Sequence, residues 1–438
     1  MIAEDFFEME KKYKLFDLRT ADNIPIWDIV RMYVYLKYYF PKTEQNLTVQ
    51  KTSFKEYVNF VFGLFRSFFY FIFKNGENFF LPVSRNVDKS GRYFDKAAIS
   101  AIEAAGSRAF IFEMQSVNRR YKYNAANNYI EYFKKFSSDK EIVSFSIFSE
   151  IELALISVFK DCKVAPQDLN QIYKDFKLDE LYYGKIFRIK KVKKVFITNN
   201  GFKKGLFQAA KNLDIPIYEF QHGSFEMDHL AYSYPSFVKQ DVNVLLPDYL
   251  LTIGDYWGNN FNVPIKCKVS VGNDSFFLKH SSSSEETILF ISSKIHGREL
   301  YIVAIKLAIQ FPGMDINFKL HSNEFADQMF YANEFKDFRN IHLIKSEIDI
   351  HELIRRAAIV ILISSTVFYE ALNQNKKVAI YKRANYDGLR NLFNLPNVYL
   401  FDSGDEIASI MKNETINNNV NFFKPFDKKL FFEIANFN

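Results

Sequence analysis

Between residues 195 and 223 the chain changes its apolar periodicity twice, and a strand–helix–strand unit is what accommodates both changes. Residues 195–198 carry a short apolar strand signal, Asn199, Asn200 and Gly201 a turn, and 202–213 the spacing of an amphipathic helix. The next strand signal covers 215–220, within the segment 215–223, Ile-Pro-Ile-Tyr-Glu-Phe-Gln-His-Gly. Two strands joined through a helix run parallel. The second ends in Gln221, His222 and Gly223, at the carboxyl edge where open α/β sheets hold their ligands. A glycine there permits φ > 0 and close approach of backbone to ligand. An imidazole titrates near neutrality and can take a proton from a hydroxyl. A histidine that merely caps a loop suits the same place.

The alternation extends over most of the chain. Residues up to about 75 read as helical and rich in aromatics, with an amphipathic run from Ile24 through Tyr39. A strand at 79–82, a polar loop at 84–92, a helix at 97–105 and a strand at 109–113 follow. Further strand signals lie at 247–254 and 269–273. The run His-Ser-Ser-Ser-Ser-Glu-Glu at 280–286 reads as a linker. Beyond it, strand-like segments at 287–291, 316–320, 341–344, 359–363 and 378–381 are mostly separated by helical patterns. Such alternation predicts doubly wound parallel sheets. The expected organisation is a helical extension over 1–75, one Rossmann-like domain over 76–279 and a second over 280–438. The last helix is free to return to the first domain. Two such domains would face each other across a cleft, the usual place for a ligand.

With 48% hydrophobic and 25% charged residues and a net charge of +6, the 438-residue chain has the composition of a globular protein of two domains. No arginine-rich stripe points to nucleic acid. Cys162 and Cys267 are isolated, so neither a disulfide framework nor a metal site is implied. Glu4, Asp5, Glu8 and Glu10 give no basic start of a signal peptide, and a cytoplasmic location is expected. A P-loop and a Gly-x-Gly-x-x-Gly motif are absent, against ATPases and dehydrogenases.

The run 57–73, from Tyr57 to Phe73, is almost wholly apolar and aromatic, broken by Asn59, Gly63, Arg66 and Ser67. It is short for a bilayer span, and Arg66 near its middle is costly in lipid. Lys51, Lys55 and Lys74 at its flanks suit a helix lying in a membrane interface. A buried core helix has the same composition.

Two segments of the second half carry further chemistry. In 318–322, a strand runs into Lys319 and His321, a pair able to neutralise phosphate charge. In 361–371, a buried strand stops at Ser364, Ser365 and Thr366 before a helix that carries Glu370. Hydroxyls and free N–H groups at a helix start favour anions, although Ser and Thr are also ordinary caps. Glu370, one turn on, can accept hydrogen bonds from ribose hydroxyls.

The order of these motifs resembles bacterial surface-polysaccharide transferases of the GT-B fold. That group includes CDP-glycerol glycerophosphotransferases, bacterial sialyltransferases and capsule Kdo transferases. The Glu-Phe-Gln-His-Gly phrase, followed by His229, Tyr232, Ser233 and Pro235, looks most like O-antigen and capsule glycosyltransferases. The resemblance covers about 195–381, and Ser322 stands where the family usually has proline. It implies His222 as candidate base and His321 as donor-phosphate histidine. Ser364, Ser365 and Thr366 would match the hydroxyls at the donor phosphate, with Gln221, Gly223 and His229 on the acceptor side.

The leading expectation is transfer of a sugar from a nucleotide-sugar donor to a growing, lipid-linked surface glycan such as O-antigen, capsule or lipooligosaccharide. Neither a cofactor nor a metal is implied, and the enzyme would sit peripherally at the inner face of the cell membrane. Lys294 and Arg298 are further donor-side cations, and Asp88 and Asp95 are alternative bases. Two other functions fit the same residues: a CDP-polyol phosphotransferase, and a non-catalytic GT-B-like scaffold.

Overall fold

The apolar runs that punctuate the sequence become short strands buried on both faces, as at Ala109–Glu113, Thr287–Ile291 and Lys377–Tyr381. A computed structural model describes residues 2–39, 54–113, 119–135, 145–158, 166–225, 229–239, 244–259, 263–277, 287–294, 296–345, 348–383, 386–417 and 420–437. The expected linker at 280–286 lies outside the described residues. Two compact units are found: Met1–Phe276 together with Pro425–Asn438, and Phe277–Lys424.

The first unit opens with helices α1 (Ile2–Lys12), α2 (Ile26–Tyr39) and α3 (Phe54–Phe73), then β1 (Asn78–Leu81). A small hairpin, β2 (Asn86–Val87) and β3 (Tyr93–Phe94), begins in the expected polar loop and closes just beyond it. After it come α4 (Ile99–Ala105), β4 (Ala109–Glu113), β5 (Ala126–Asn127), α5 (Ile130–Lys135), α6 (Phe145–Val158) and α7 (Pro166–Lys190). The expected strand–helix–strand unit is β6 (Lys194–Thr198), α8 (Lys204–Lys211) and β7 (Ile217–Phe220). β8 (Tyr249–Thr252), α9 (Asp255–Asn259) and β9 (Cys267–Ser270) complete the sheet. Its order is β5-β4-β1-β6-β7-β8-β9, and every pairing is parallel. The chain winds outward from β1 in one direction, returns to β6 beside β1, and winds outward in the other. The switch point between β1 and β6 is where such sheets receive ligands.

In the second unit the order of elements is β10 (Thr287–Ile291), α10 (Gly297–Gln310), β11 (Asp315–Lys319), α11 (Gln328–Phe335) and β12 (Ile341–Ile344). They are followed by α12 (Ile350–Arg356), β13 (Ala357–Leu362), α13 (Val367–Asn373), β14 (Lys377–Tyr381), β15 (Val398–Phe401) and α14 (Asp405–Lys412). The parallel order β12-β11-β10-β13-β14-β15 places a second switch point between β10 and β13. The fold class is α/β, with two Rossmann-like parallel sheets, as expected.

The last helix, α15 (Lys428–Ile434), returns to the first unit. Its Phe431 covers Phe196 at 5.7 Å, on a face where Phe196 stacks against Phe80 at 4.5 Å. Residues 1–75 are not a separate extension: their described helices are built into the first unit. Arg31 of α2 is fully buried, with Nε 2.5 Å from Glu10 Oε1 of α1, which also accepts from Trp27 at 2.8 Å. The same guanidinium donates to the carbonyls of Leu230 at 2.6 Å and Ser233 at 3.1 Å. Burial works against the charged form of Arg31, yet Glu10 beside it more than offsets this and the pKa is raised. A second buried pair, Asp28 with Lys204 at 2.9 Å, ties α2 to α8, and both partners bond the backbone of Leu245.

Helix α3 has one face packed on the unit and one face exposed. Ser67 accepts from the Asn127 N–H at 2.6 Å and Tyr70 from the Ile111 N–H at 3.0 Å, while Tyr70 and Phe71 pack on Phe110. Phe62, Phe65, Phe68, Phe69, Ile72 and Phe73 are exposed. Among the described residues no helix is long and apolar enough to cross a membrane.

Truncating Arg31 would leave Glu10 buried without its counter-charge. Arg31→Ala should therefore cost about 3–5 kcal/mol in denaturant unfolding followed by tryptophan fluorescence. A loss below about 1 kcal/mol, the scale of an exposed pair, would contradict that reading.

Candidate functional site

At the carboxyl edge of the first sheet, the ends of β1, β6 and β7 bring together a set of polar side chains. Glu219 interrupts an otherwise apolar strand and is fully buried. Its Oε2 accepts from Asn200 Nδ2 at 2.8 Å, and its Oε1 accepts from the Tyr232 hydroxyl. Tyr232 Oη lies 3.3 Å from His222 Nδ1, and the His229 ring packs 5.0 Å from the tyrosine. Lys203, at the start of α8, donates to the Thr198 carbonyl at 2.5 Å. Around this group Ser84 Oγ, Thr198 Oγ1, Asn200 Oδ1 and His229 Nδ1 are buried without a hydrogen-bond partner. Buried polar atoms are nearly always satisfied, so four orphans at one sheet edge mark a place where polar groups of a ligand or water complete the bonding.

Burial dominates the electrostatics. It pushes the Glu219 carboxyl up to about 7, against hydrogen bonds from Tyr232 and Asn200 and the charges of Lys203 and Lys204. Burial likewise brings Lys203 down to about 8. His222 falls to about 3, through burial first and then His229, Arg85 and Lys203. His229 is lowered by burial as well. Both imidazoles are thus neutral at ordinary pH. Glu113, at the end of β4, rises to about 7 for the same reason and accepts from the Ser84 N–H at 2.9 Å.

Several expected residues have other work here. Asp88 is a turn carboxylate, bonded by Ser90 and Arg92 and held well below the usual carboxylate range by them. It is not poised as a base. Asp95 is buried and accepts from the backbone of Val83 at 2.7 Å and Ala97 at 2.8 Å, so it organises the loop after β1. Gln221 bridges the Gly223 carbonyl and the Ile253 N–H, which fixes the ends of β7 and β8 and leaves its amide unsuited to an acceptor. Gly223 does not have a positive φ, and a Cβ there would meet open space. The backbone therefore does not require glycine at this position.

The second sheet collects its expected residues at the adjacent ends of β11, β10 and β13. His321 caps the turn Ser322–Asp327: its Nδ1 accepts from the Asn323 N–H at 3.2 Å while Glu324 bonds the His321 N–H at 3.0 Å. With Nδ1 accepting, a neutral ring carries its proton on Nε2 and can donate to an anion. Lys319 ends β11, and Lys294 is exposed after β10. Glu324 is buried and accepts from Ser292 and Tyr331, both at 2.8 Å. A Cβ on Gly297 would come within 2.2 Å of Glu324 Oε1 and Tyr331 Oη, so glycine is obligatory there. Ser365 Oγ accepts from the Val367 N–H at 3.3 Å, and Thr366 makes no side-chain cap. Arg298 stacks over Phe330 at 4.3 Å. Glu370 faces His351 of α12 at 3.3 Å, a partner that sequence spacing did not reveal. Arg383, beyond β14, stacks over Tyr381 at 4.0 Å and is a further cation at this edge. Among the described residues, no group of three or more His, Cys, Asp or Glu side chains could hold a metal ion.

No protein-family model and no curated protein matches the sequence. Among solved structures, the chain is similar to the UDP-GlcNAc 2-epimerase of Neisseria meningitidis bound to UDP-GlcNAc. The identity is 11%, over 82% of this chain and 99% of that chain, at a TM-score of 0.47. It is similar to the UDP-GlcNAc 2-epimerase of Methanocaldococcus jannaschii, with 12% identity, 82% and 99% coverage and a TM-score of 0.48. Acinetobacter baumannii MurG is 10% identical over 83% of this chain and 100% of that chain, with a TM-score of 0.44. Similarities of this size assign no activity to the chain.

The raised carboxyls have a consequence for stability. Glu113 and Glu219 each hold a proton more tightly folded than at their ordinary value of 4.5. The stability they contribute is present below pH 4.5 and is lost as the pH rises through about 7. Glu113→Gln, which mimics the protonated form, should change little at about pH 5 and stabilise at about pH 8, by up to about 3 kcal/mol. Thermal unfolding at the two pH values measures this, and a pH-independent difference would contradict it.

Proposed function

We propose that the chain is a glycosyltransferase that moves a sugar from a nucleotide-sugar donor to a hydroxyl of a glycan acceptor, with His222 as base. The supporting observation is the neutral His222 imidazole beside four unsatisfied polar atoms at the first sheet's switch point. Sugar hydroxyls donate and accept, and so can complete such atoms where an apolar ligand cannot. On the second sheet, the His321 Nε2–H, Lys319, Lys294, Arg383 and the hydroxyls of Ser364, Ser365 and Thr366 suit a departing diphosphate. In the transfer, the bond from sugar carbon to phosphate oxygen breaks and its electron pair leaves with the nucleotide. The acceptor oxygen bonds the sugar carbon, and its proton passes to His222 Nε2. A base of pKa about 3 takes that proton only late, once the new bond has made the oxygen acidic.

The finer reading, a surface-polysaccharide transferase acting without metal on a lipid-linked acceptor at the inner face of the membrane, rests on the order of the motifs. Purified protein given a panel of nucleotide sugars and a glycan acceptor should yield a glycosyl mass gain on the acceptor, unchanged by a chelator. A gain of polyol phosphate would indicate the phosphotransferase instead. His222→Ala should lower turnover at least about a hundredfold with donor affinity retained. Wild-type turnover in that variant would remove His222 from the chemistry.

Helix α3 supports the peripheral location. Its exposed phenylalanine face adjoins the end of α7, where Lys190 bonds the carbonyls of Phe71 and Lys74 and where Lys185, Arg188, Ile189 and Lys191 are exposed. An aromatic face beside a basic rim suits an anionic bilayer surface. The protein should sediment with anionic liposomes, less so in high salt, and not after Phe62, Phe65 and Phe69 are replaced by Ser. These side chains are exposed, so the variant should keep its circular dichroism. Phe71 is unsuited to the test because it packs on Phe110. A wild-type protein that stays in the supernatant would contradict the membrane role.

A further inference from the structure

Tyr232 has one hydroxyl proton and stands between two groups able to take it. Its oxygen is bonded to Glu219 Oε1 and lies 3.3 Å from His222 Nδ1. Glu219 Oε2 is already engaged by Asn200 Nδ2. An ionised Glu219 can only accept, so the Tyr232 proton points at the carboxylate. The tyrosine oxygen then offers His222 a lone pair alone. Nδ1 must carry the ring proton, and the basic lone pair sits on Nε2. We propose that Glu219 and Tyr232 are positioning residues that set the tautomer of His222, so that the charge state of a buried carboxylate decides which ring nitrogen is basic. The proposal rests on the reading of His222 as base.

Protonating Glu219 reverses the chain. The carboxyl Oε1–H donates to Tyr232 Oη, and the tyrosine proton turns to His222 Nδ1. The former Nδ1 proton is released, and Nε2 gains one. One proton is taken up in all, and Nε2–H can no longer act as a base. The groups facing Glu219 are Tyr232 and Tyr234 from the loop after β7, with Lys203 and Lys204 from α8. Those facing His222 are His229, Arg85 and Lys203. Burial of Glu219 brings its titration to about 7, while His222 itself stays neutral down to about 3. The switch therefore falls near neutrality without imidazolium.

The test reads the tautomer directly, by nitrogen NMR of the full chain with 15N-labelled imidazoles between about pH 5.5 and about pH 8.5. His222 is assigned by the signals lost in His222→Gln. In wild type we expect Nε2–H at the acid end, Nδ1–H at the alkaline end and a midpoint near 7. In Glu219→Gln the one amide oxygen accepts from Asn200 Nδ2 and the amide N–H donates to Tyr232, as the protonated carboxyl does, so Nε2–H should persist throughout. Turnover of that variant at about pH 8 should then fall about tenfold below wild type, because the basic Nε2 lone pair never forms. Tyr232→Phe should abolish the switch. One tautomer in wild type across the whole range, or a tautomer change that survives in Glu219→Gln, would overturn the proposal. If the switch is present but His222→Ala turns over normally, the relay stands and the role of His222 as base fails.

Discussion

The first unit depends on the guanidinium of Arg31. It bonds Glu10 of α1, which also accepts from Trp27 of α2, and it holds the carbonyls of Leu230 and Ser233. Those carbonyls belong to the loop that carries His229 and Tyr232. An aromatic shell of Phe6, Phe7, Phe16 and Tyr234 surrounds the charge, with Tyr234 at 4.5 Å. A planar, five-donor group can serve a bidentate carboxylate and two loop carbonyls at once. The amino-terminal helices are therefore a wall of the unit that carries the candidate site.

Burying Arg31 with Glu10 and Lys204 with Asp28 costs desolvation, and such pairs add little net stability over apolar residues of the same shape. What they contribute is geometry. Each has one acceptable arrangement, and both fix loops that follow β7. The orphaned atoms of Ser84, Thr198, Asn200 and His229 have the opposite character, since a purely structural edge would have satisfied them. Fixed loops around unsatisfied polar atoms make this edge the candidate ligand site.

Much of the fold was legible because parallel strands buried on both faces are written as apolar runs. The segments at 195–198, 287–291 and 378–381 fall on β6, β10 and β14. Strand β2 was hidden in a polar stretch, and the four-residue apolar run of β15 was not among the expected strands. The places of His222 and His321 just past strand ends were legible. Their surroundings were not, because hydrogen bonds across 199 residues, such as Arg31 to Leu230, leave no mark on local spacing. Glu219 did leave one: a carboxylate inside the strand Ile-Tyr-Glu-Phe needs a partner, and Tyr232 supplies it. Gln221 and Asp95 misled because residues at a strand's end serve the backbone as readily as a ligand.

The central claim is that the amino-terminal helices hold the loop on which the candidate site is built. Amide hydrogen exchange in Arg31→Met tests it directly, since methionine fills the space without bonding the Leu230 and Ser233 carbonyls. The account predicts faster exchange across residues 229–239, with β10, β13 and β14 of the second unit unchanged. Exchange in that loop identical to wild type would contradict it.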